Sequence, residues 1–201
     1  SINNATLTLP SPGASKSLGS NKTIVIGGWK QQAYVKFSNN VSKSPPQNFG
    51  YSIASHEDTL VVGVKYDDSN QTSITNGTSS SNDQSVSGSG AVFVYRRNGS
   101  TWIQESYIKS PLNSIDRQTD HFGSNVAIFE NRLAVVAKKD NTSPNEKDSG
   151  VVYIFKRTDS SWEFESLIKP VNGENGDLFG GDRGFSHSLA MNDETLVVGA
   201  P

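Results

Sequence analysis

Apolar residues in this chain are gathered into short dense runs separated by long polar stretches, and the runs recur. Leu60-Val61-Val62-Gly63, Leu133-Ala134-Val135-Val136-Ala137 and Leu196-Val197-Val198-Gly199-Ala200-Pro201 are apolar on successive residues. A short run with neither a helical nor an alternating period marks a strand covered on both faces. Each run is preceded, at one fixed interval, by an aromatic residue with a small one behind it: Phe49-Gly50, Phe122-Gly123 and Phe185-Ser186. Between these blocks stand two copies of a second unit. One is Gly90-Ala91-Val92-Phe93-Val94-Tyr95, followed by Trp102; the other is Gly150-Val151-Val152-Tyr153-Ile154-Phe155, followed by Trp162. The pattern recurs at roughly 60 to 73 residues and holds four β-like runs, the size and content of one propeller blade.

The four strands of a blade follow from the runs. The first covers 49–54, 122–127 and 185–190, where Gly, Ser and Ala recur. Blades converge on an axis, so the innermost strand needs small side chains. A short polar link leads to the second strand, the Leu-Val-Val run. The third strand covers 92–95 and 152–155. A polar hairpin then leads to the fourth, which opens on Trp102 or Trp162 and carries Glu and Lys, as an outer edge does. Near the N-terminus 29–36 resembles a fourth strand, 23–26 a third and 5–10 a second. The expectation is an all-β propeller segment of four-stranded antiparallel blades over 1–201, about three blade equivalents. These are a partial blade at 1–37, blades at 49–109 and 122–169, and a partial blade at 185–201. That falls short of the usual ring of 4 to 8 blades. Further blades are therefore expected, from a longer chain or from a second copy exchanging strands.

Two loops between second and third strands, 67–89 and 138–149, are long and rich in Ser, Asn and Gly. They are expected to be mobile and to emerge on one face of the disc, where a protein or glycan ligand would dock. Asp67-Asp68 opens the first loop, and Lys138-Lys139-Asp140 takes the related place in the next repeat. Opposite charge at that place argues for solvated loops rather than a repeated ligand set. Trp29, Trp102 and Trp162 occupy the same position in each unit, which favours structural packing over a carbohydrate platform.

Composition narrows the partners. The formal net charge is −2 with no basic block, which excludes nucleic acid and anionic membrane as expected partners. No run of 18 apolar residues is present, so no membrane insertion by a helix is expected. The absence of Cys excludes a disulfide scaffold, a Cys zinc site and a thiol nucleophile. The chain opens on Ser1, with neither Met nor a signal peptide, and reads as a processed product or a fragment. Asn-x-Ser/Thr sequons occur at Asn4, Asn21, Asn40, Asn70, Asn76, Asn98 and Asn141. Either an Asn- and Ser-rich composition or a glycosylated extracellular surface accounts for them.

The ordered set of boxes resembles the FG-GAP repeat, the propeller unit also found in the integrin α-subunit head. Phe49-Gly50 and Phe122-Gly123 match its first box, 196–201 its second and 150–155 its third; the likeness spans about 22 to 201. Many members carry a calcium loop between the first two strands, with oxygen ligands at alternating positions. Here 55–58, 128–131 and 191–194 are too short for it. The resemblance thus implies the variant without a calcium loop, and no metal site. Asn172-Gly173-Glu174-Asn175-Gly176-Asp177 is acidic and Gly-rich but lacks the ligand spacing, and reads as a turn.

Catalytic and cofactor signals are missing. His56, His121 and His187 fall at unrelated repeat positions without metal-ligand spacing, and read as structural or solvent-facing. No Gly-x-Ser-x-Gly elbow occurs, and Gly88-Ser89-Gly90 precedes a strand rather than a helix. The expected function is a non-catalytic extracellular or cell-surface module for adhesion, ligand binding or assembly. The alternative is a propeller within, or appended to, a secreted carbohydrate-active enzyme.

Overall fold

The computed structural model describes residues 5–8, 15–18, 31–39, 46–111, 119–140, 148–171, 173–181 and 188–200. It divides into two compact units, Ser1–Val35 and Lys36–Pro201. In the first, β1 (Ala5–Thr8) and β2 (Ser15–Leu18) form an antiparallel hairpin with Ala5 opposite Leu18. The first of these falls where a second strand was expected; nothing in the sequence pattern signalled the other. Residues 31–36 carry no strand, against the fourth strand expected at 29–36, and 23–30 lie outside the described residues.

The second unit contains the blades. β3 (Phe49–His56), β4 (Thr59–Val64), β5 (Ile74–Asn76), β6 (Ala91–Asn98) and β7 (Thr101–Ile108) form one antiparallel sheet in the order β3-β4-β6-β7-β5. β8 (Phe122–Phe129), β9 (Arg132–Ala137), β10 (Val151–Thr158) and β11 (Ser161–Ile168) form the next in chain order. β12 (Leu189–Met191) and β13 (Leu196–Val198) are the hairpin of a third. The fold is an all-β propeller segment. No helix occurs among the described residues, and none is long and apolar enough to cross a membrane.

Apolar runs make strands because each face meets a neighbouring blade. On β9, Leu133, Val135 and Ala137 enter a core with Val61, Val92, Val94 and Ile108 of the preceding blade. Ala134 and Val136 turn the other way, to pack with Leu189, Met191 and Val198 of the third hairpin. Each buried Val or Leu contributes about 1.5–3 kcal/mol by leaving water.

The Phe-Gly pair has a backbone purpose. Gly50 (φ 85°) and Gly123 (φ 82°) sit where the pairing of the first two strands slips, between Phe49 and Ser52 and between Phe122 and Asn125. Glycine adopts that left-handed conformation without steric cost, and the slip is a β-bulge. Asn48 (φ 59°) and His121 (φ 58°) precede the two Phe residues. The same pair of angles recurs at Leu178 (φ 51°) and Gly180 (φ 77°) around Phe179. Phe179 N donates to Ser149 O at 2.8 Å, as Phe122 N donates to Ser89 O at 3.1 Å. Phe179-Gly180 therefore repeats the Phe-Gly seat; Phe185-Ser186, expected there, lies outside the described residues. An insertion after Gly181 separates it from the hairpin, and 182–187 lie outside the described residues.

Candidate functional site

The first long loop is anchored at both ends by buried polar side chains, while 70–87 between them are exposed or half-buried. Asp67, Ser69, Asp68 and Ser89 are buried. Asp67 is fully enclosed and accepts four hydrogen bonds. They come from Lys109 Nζ (2.8 Å), Tyr107 OH (2.9 Å), Asn39 Nδ2 (2.9 Å) and its neighbour Ser69 N (3.1 Å). Lys109 Nζ also donates to Ser89 Oγ at 2.7 Å, at the far end of the loop. Asp68 ties the same ends together, accepting from Gly88 N through its carboxylate and from Val86 N through its carbonyl, each at 2.8 Å. A buried ion pair holds only when further donors and acceptors satisfy it, and these do. Burial, with the Asp67 charge next, pushes the Tyr107 phenol far above its ordinary range and keeps it a donor. From this anchored loop β5 reaches back to pair with β7, so Ile74 faces Ile108 and Asn76 faces Ser106.

Counting from the strand ends aligns Asp67 with Asp140, and Lys65 with Lys138. Asp140 is likewise fully buried and accepts from Tyr153 OH, whose phenol is also pushed up by burial and then by that carboxylate. The carboxylate after each second strand is thus a repeated feature. The reading that set Asp67-Asp68 against Lys138-Lys139 was out of step.

Beside these anchors lies a cationic and aromatic cluster. Lys65 is 8% exposed. Its Nζ stands 4.6 Å from the Tyr51 ring centroid and 4.8 Å from that of Tyr66, and donates to Tyr51 OH at 3.4 Å. No carboxylate among the described residues pairs with it. The His121 ring meets the Tyr66 edge at 5.4 Å between centroids, and its Nδ1 is buried without a partner. Burial, then the charges of Lys65, Lys138 and Lys139, push the His121 imidazole down to about 3 from its ordinary 6.5. A histidine held neutral in the fold but free to protonate when unfolded stabilises fully above pH 6.5. That stabilisation is lost as pH falls from 6.5 toward 3. We expect urea stability to fall there by up to about 1.4 kcal/mol per pH unit from this group alone. His121→Asn should flatten that part of the slope, since Asn48 fills the matching seat one blade earlier.

The blades are locked by a second repeated set. The pairing of third and fourth strands slips in both blades, leaving Glu105 and Glu165 as the extra residues. Glu105 accepts from Trp162 Nε1 of the next blade at 2.9 Å and pairs with Arg157 at 3.5 Å. Asn76 exchanges hydrogen bonds with the Trp162 backbone in both directions. Trp162 is buried, while Trp102 is half-buried beneath Arg97. The Trp positions serve packing where described; Trp29 lies outside the described residues.

Residues 116–155 match the FG-GAP repeat. No curated protein matches the chain. The matched stretch holds the Phe122-Gly123 bulge, the β9 run and the Gly150 strand, and the preceding blade carries the same three features. Of the sequons, Asn70, Asn76 and Asn98 are exposed, although the Asn76 carboxamide is engaged at the blade junction. Asn4, Asn21, Asn40 and Asn141 have no described side chains. His56 packs on Phe129 at 4.6 Å between ring centroids, far in sequence from His121, and His187 is not described. Glu174 and Asp177 close a turn on each other, with Glu174 N donating to Asp177 Oδ2 at 2.7 Å. No group of three or more His, Asp or Glu side chains among the described residues is placed to hold a metal ion.

On the opposite, hairpin-turn side, successive blade junctions carry equivalent clefts of about 290 and 340 Å³. Each sets a cation of one blade against an acid on the next blade's turn, Arg96 with Glu130 and Lys156 with Asp193. Their charges balance, so these clefts are seams between blades rather than charged sites. Sequence reading did not single out Lys65 or Arg157, took Asn76 only as a sequon and took Glu105 as an edge charge. The repeated Trp-x-x-Glu-Ser at Trp102 and Trp162 was the available signal for Glu105, and the equivalence of Lys65 and Lys138 was the one for the cluster.

Proposed function

We propose that this FG-GAP propeller segment is a non-catalytic binding module that works outside the cell or at its surface. It would engage a protein or glycan ligand through the loop face. The observation that supports this is the anchored 67–89 loop. A polar loop fixed at both ends by a buried ion pair offers a preorganised surface, which lowers the entropic cost of binding. The test is a screen of the purified chain against a glycan array and a panel of extracellular proteins, followed by Tyr66→Ala on any hit. Binding weakened by Tyr66→Ala supports the reading. Release of reducing ends from a polysaccharide substrate, or the absence of any ligand, overturns it.

A further inference from the structure

We propose that Lys65, with Tyr51, Tyr66, His121 and Lys138, forms a binding site for an anionic group of an acidic glycan, either a carboxylate or a sulfate ester. The proposal rests on the loop-face reading above and names its ligand chemistry. It starts from an anomaly. A lysine more than nine-tenths buried ordinarily has a carboxylate partner, as Lys109 has Asp67. Lys65 has two aromatic faces and one long hydrogen bond to a phenol. Those contacts orient the ammonium and leave two of its N–H groups without an acceptor among the described residues.

The surroundings deepen the anomaly. The groups facing His121 are the cations Lys65, Lys138 and Lys139 and the ring of Tyr66. Lys139 has Asp148 at 3.9 Å, whereas Lys65 has no such neighbour among the described residues. Lys65 and Lys138 hold the same position in successive blades, with His121 between them in the chain at the head of the second. Cations of two blades thus act on His121, in a protein whose net charge is −2. Overall charge would not draw an acidic ligand to it, so any attraction is local. The half-buried rings of Tyr51 and Tyr66 add flat apolar surface and hydroxyls beside the ammonium, which suits a sugar ring better than an extended peptide.

The test separates ligand from scaffold through Lys65→Met. Methionine keeps the length and the contact with the rings and removes the charge. A lone buried cation costs stability, so this variant should melt at or above the parent temperature. Its affinity for a chondroitin sulfate or polygalacturonate oligosaccharide, measured by calorimetry at physiological salt, should fall at least about tenfold. Lys138→Met should weaken the same ligands without unfolding the chain, and covers the case in which Lys65→Met fails to fold. The two oligosaccharides tell sulfate from carboxylate; a neutral cello-oligosaccharide is the control. His121→Asn should abolish any strengthening of chondroitin sulfate binding at lower pH, because the bound anion favours the imidazolium. Parent-like affinity in both lysine variants overturns the proposal. So does preference for an Asp-rich peptide, or for a neutral glycan, on the same face, and either result leaves the module reading intact. If no ligand of any class binds the parent, both fall.

Discussion

Asp67→Asn should unfold the chain at a much lower urea concentration than the parent, a loss of about 3–5 kcal/mol. The carboxylate and the Lys109 ammonium are both enclosed, with side-chain exposures of 0% and 1%. Replacing the carboxylate with a carboxamide leaves that ammonium buried opposite a neutral group. It also presents an NH2 group either to Lys109 and Tyr107, which donate to Oδ1, or to Asn39, which donates to Oδ2. Lys109→Met should cost less, because Asp67 then keeps Tyr107, Asn39 and the Ser69 amide. The loop gives a second readout. Its two ends meet through Lys109 and Ser89, so Asp67→Asn should expose the 67–89 segment to limited proteolysis before global unfolding. Parent-like urea midpoints for Asp67→Asn would show that the pair does not hold the loop.

That loop shows where sequence reading stops. The strands were legible because burial between blades leaves a one-dimensional mark: successive apolar residues at Leu60, Leu133 and Leu196, and Gly where the backbone must turn left-handed. Asp67 left no such mark. Its partners lie at Asn39, Tyr107 and Lys109, and a Ser- and Asn-rich segment reads as mobile until those long-range contacts are known. β5 escaped for the same reason, since its pairing with β7 is set by the anchored loop rather than by its own three residues. Phe179-Gly180 was passed over because spacing drew the reading to Phe185. Phe185 stands at the right interval from Leu196, but Phe179-Gly180 has the backbone angles and the bond to Ser149. Glu105 was read as an edge charge, whereas a bulge turns it into the junction to meet Trp162 and Arg157. In the candidate site, His121 was read as structural or solvent-facing and Lys65 was not singled out, because the lack of a counter-charge is a property of three dimensions.

Val135→Asp should abolish cooperative folding or cost more than about 4 kcal/mol. Val135 is fully buried in the core between the first two blades, opposite Tyr153 on one neighbouring strand and Val126 on the other. An aspartate there would enter a core with Val61, Val94 and Phe155, whose donors Tyr153 OH and Trp162 Nε1 already serve Asp140 and Glu105. Either the carboxylate stays protonated or the blades part to admit water, and both outcomes erode a total stability of about 5–15 kcal/mol. Val62, at 3% exposure, occupies the matching place one blade earlier and should respond in the same direction. Val197 is the control. It lies in the corresponding run of the third hairpin but is 60% exposed, so Val197→Asp should change stability by no more than about 0.5 kcal/mol. The measurement is urea denaturation followed by circular dichroism for all three variants. Equal losses at Val135 and Val197 would mean that the run reports strand propensity alone. A loss confined to Val135 and Val62 would assign it to blade-on-blade burial, the reason a chain of this kind needs its apolar residues in unbroken runs.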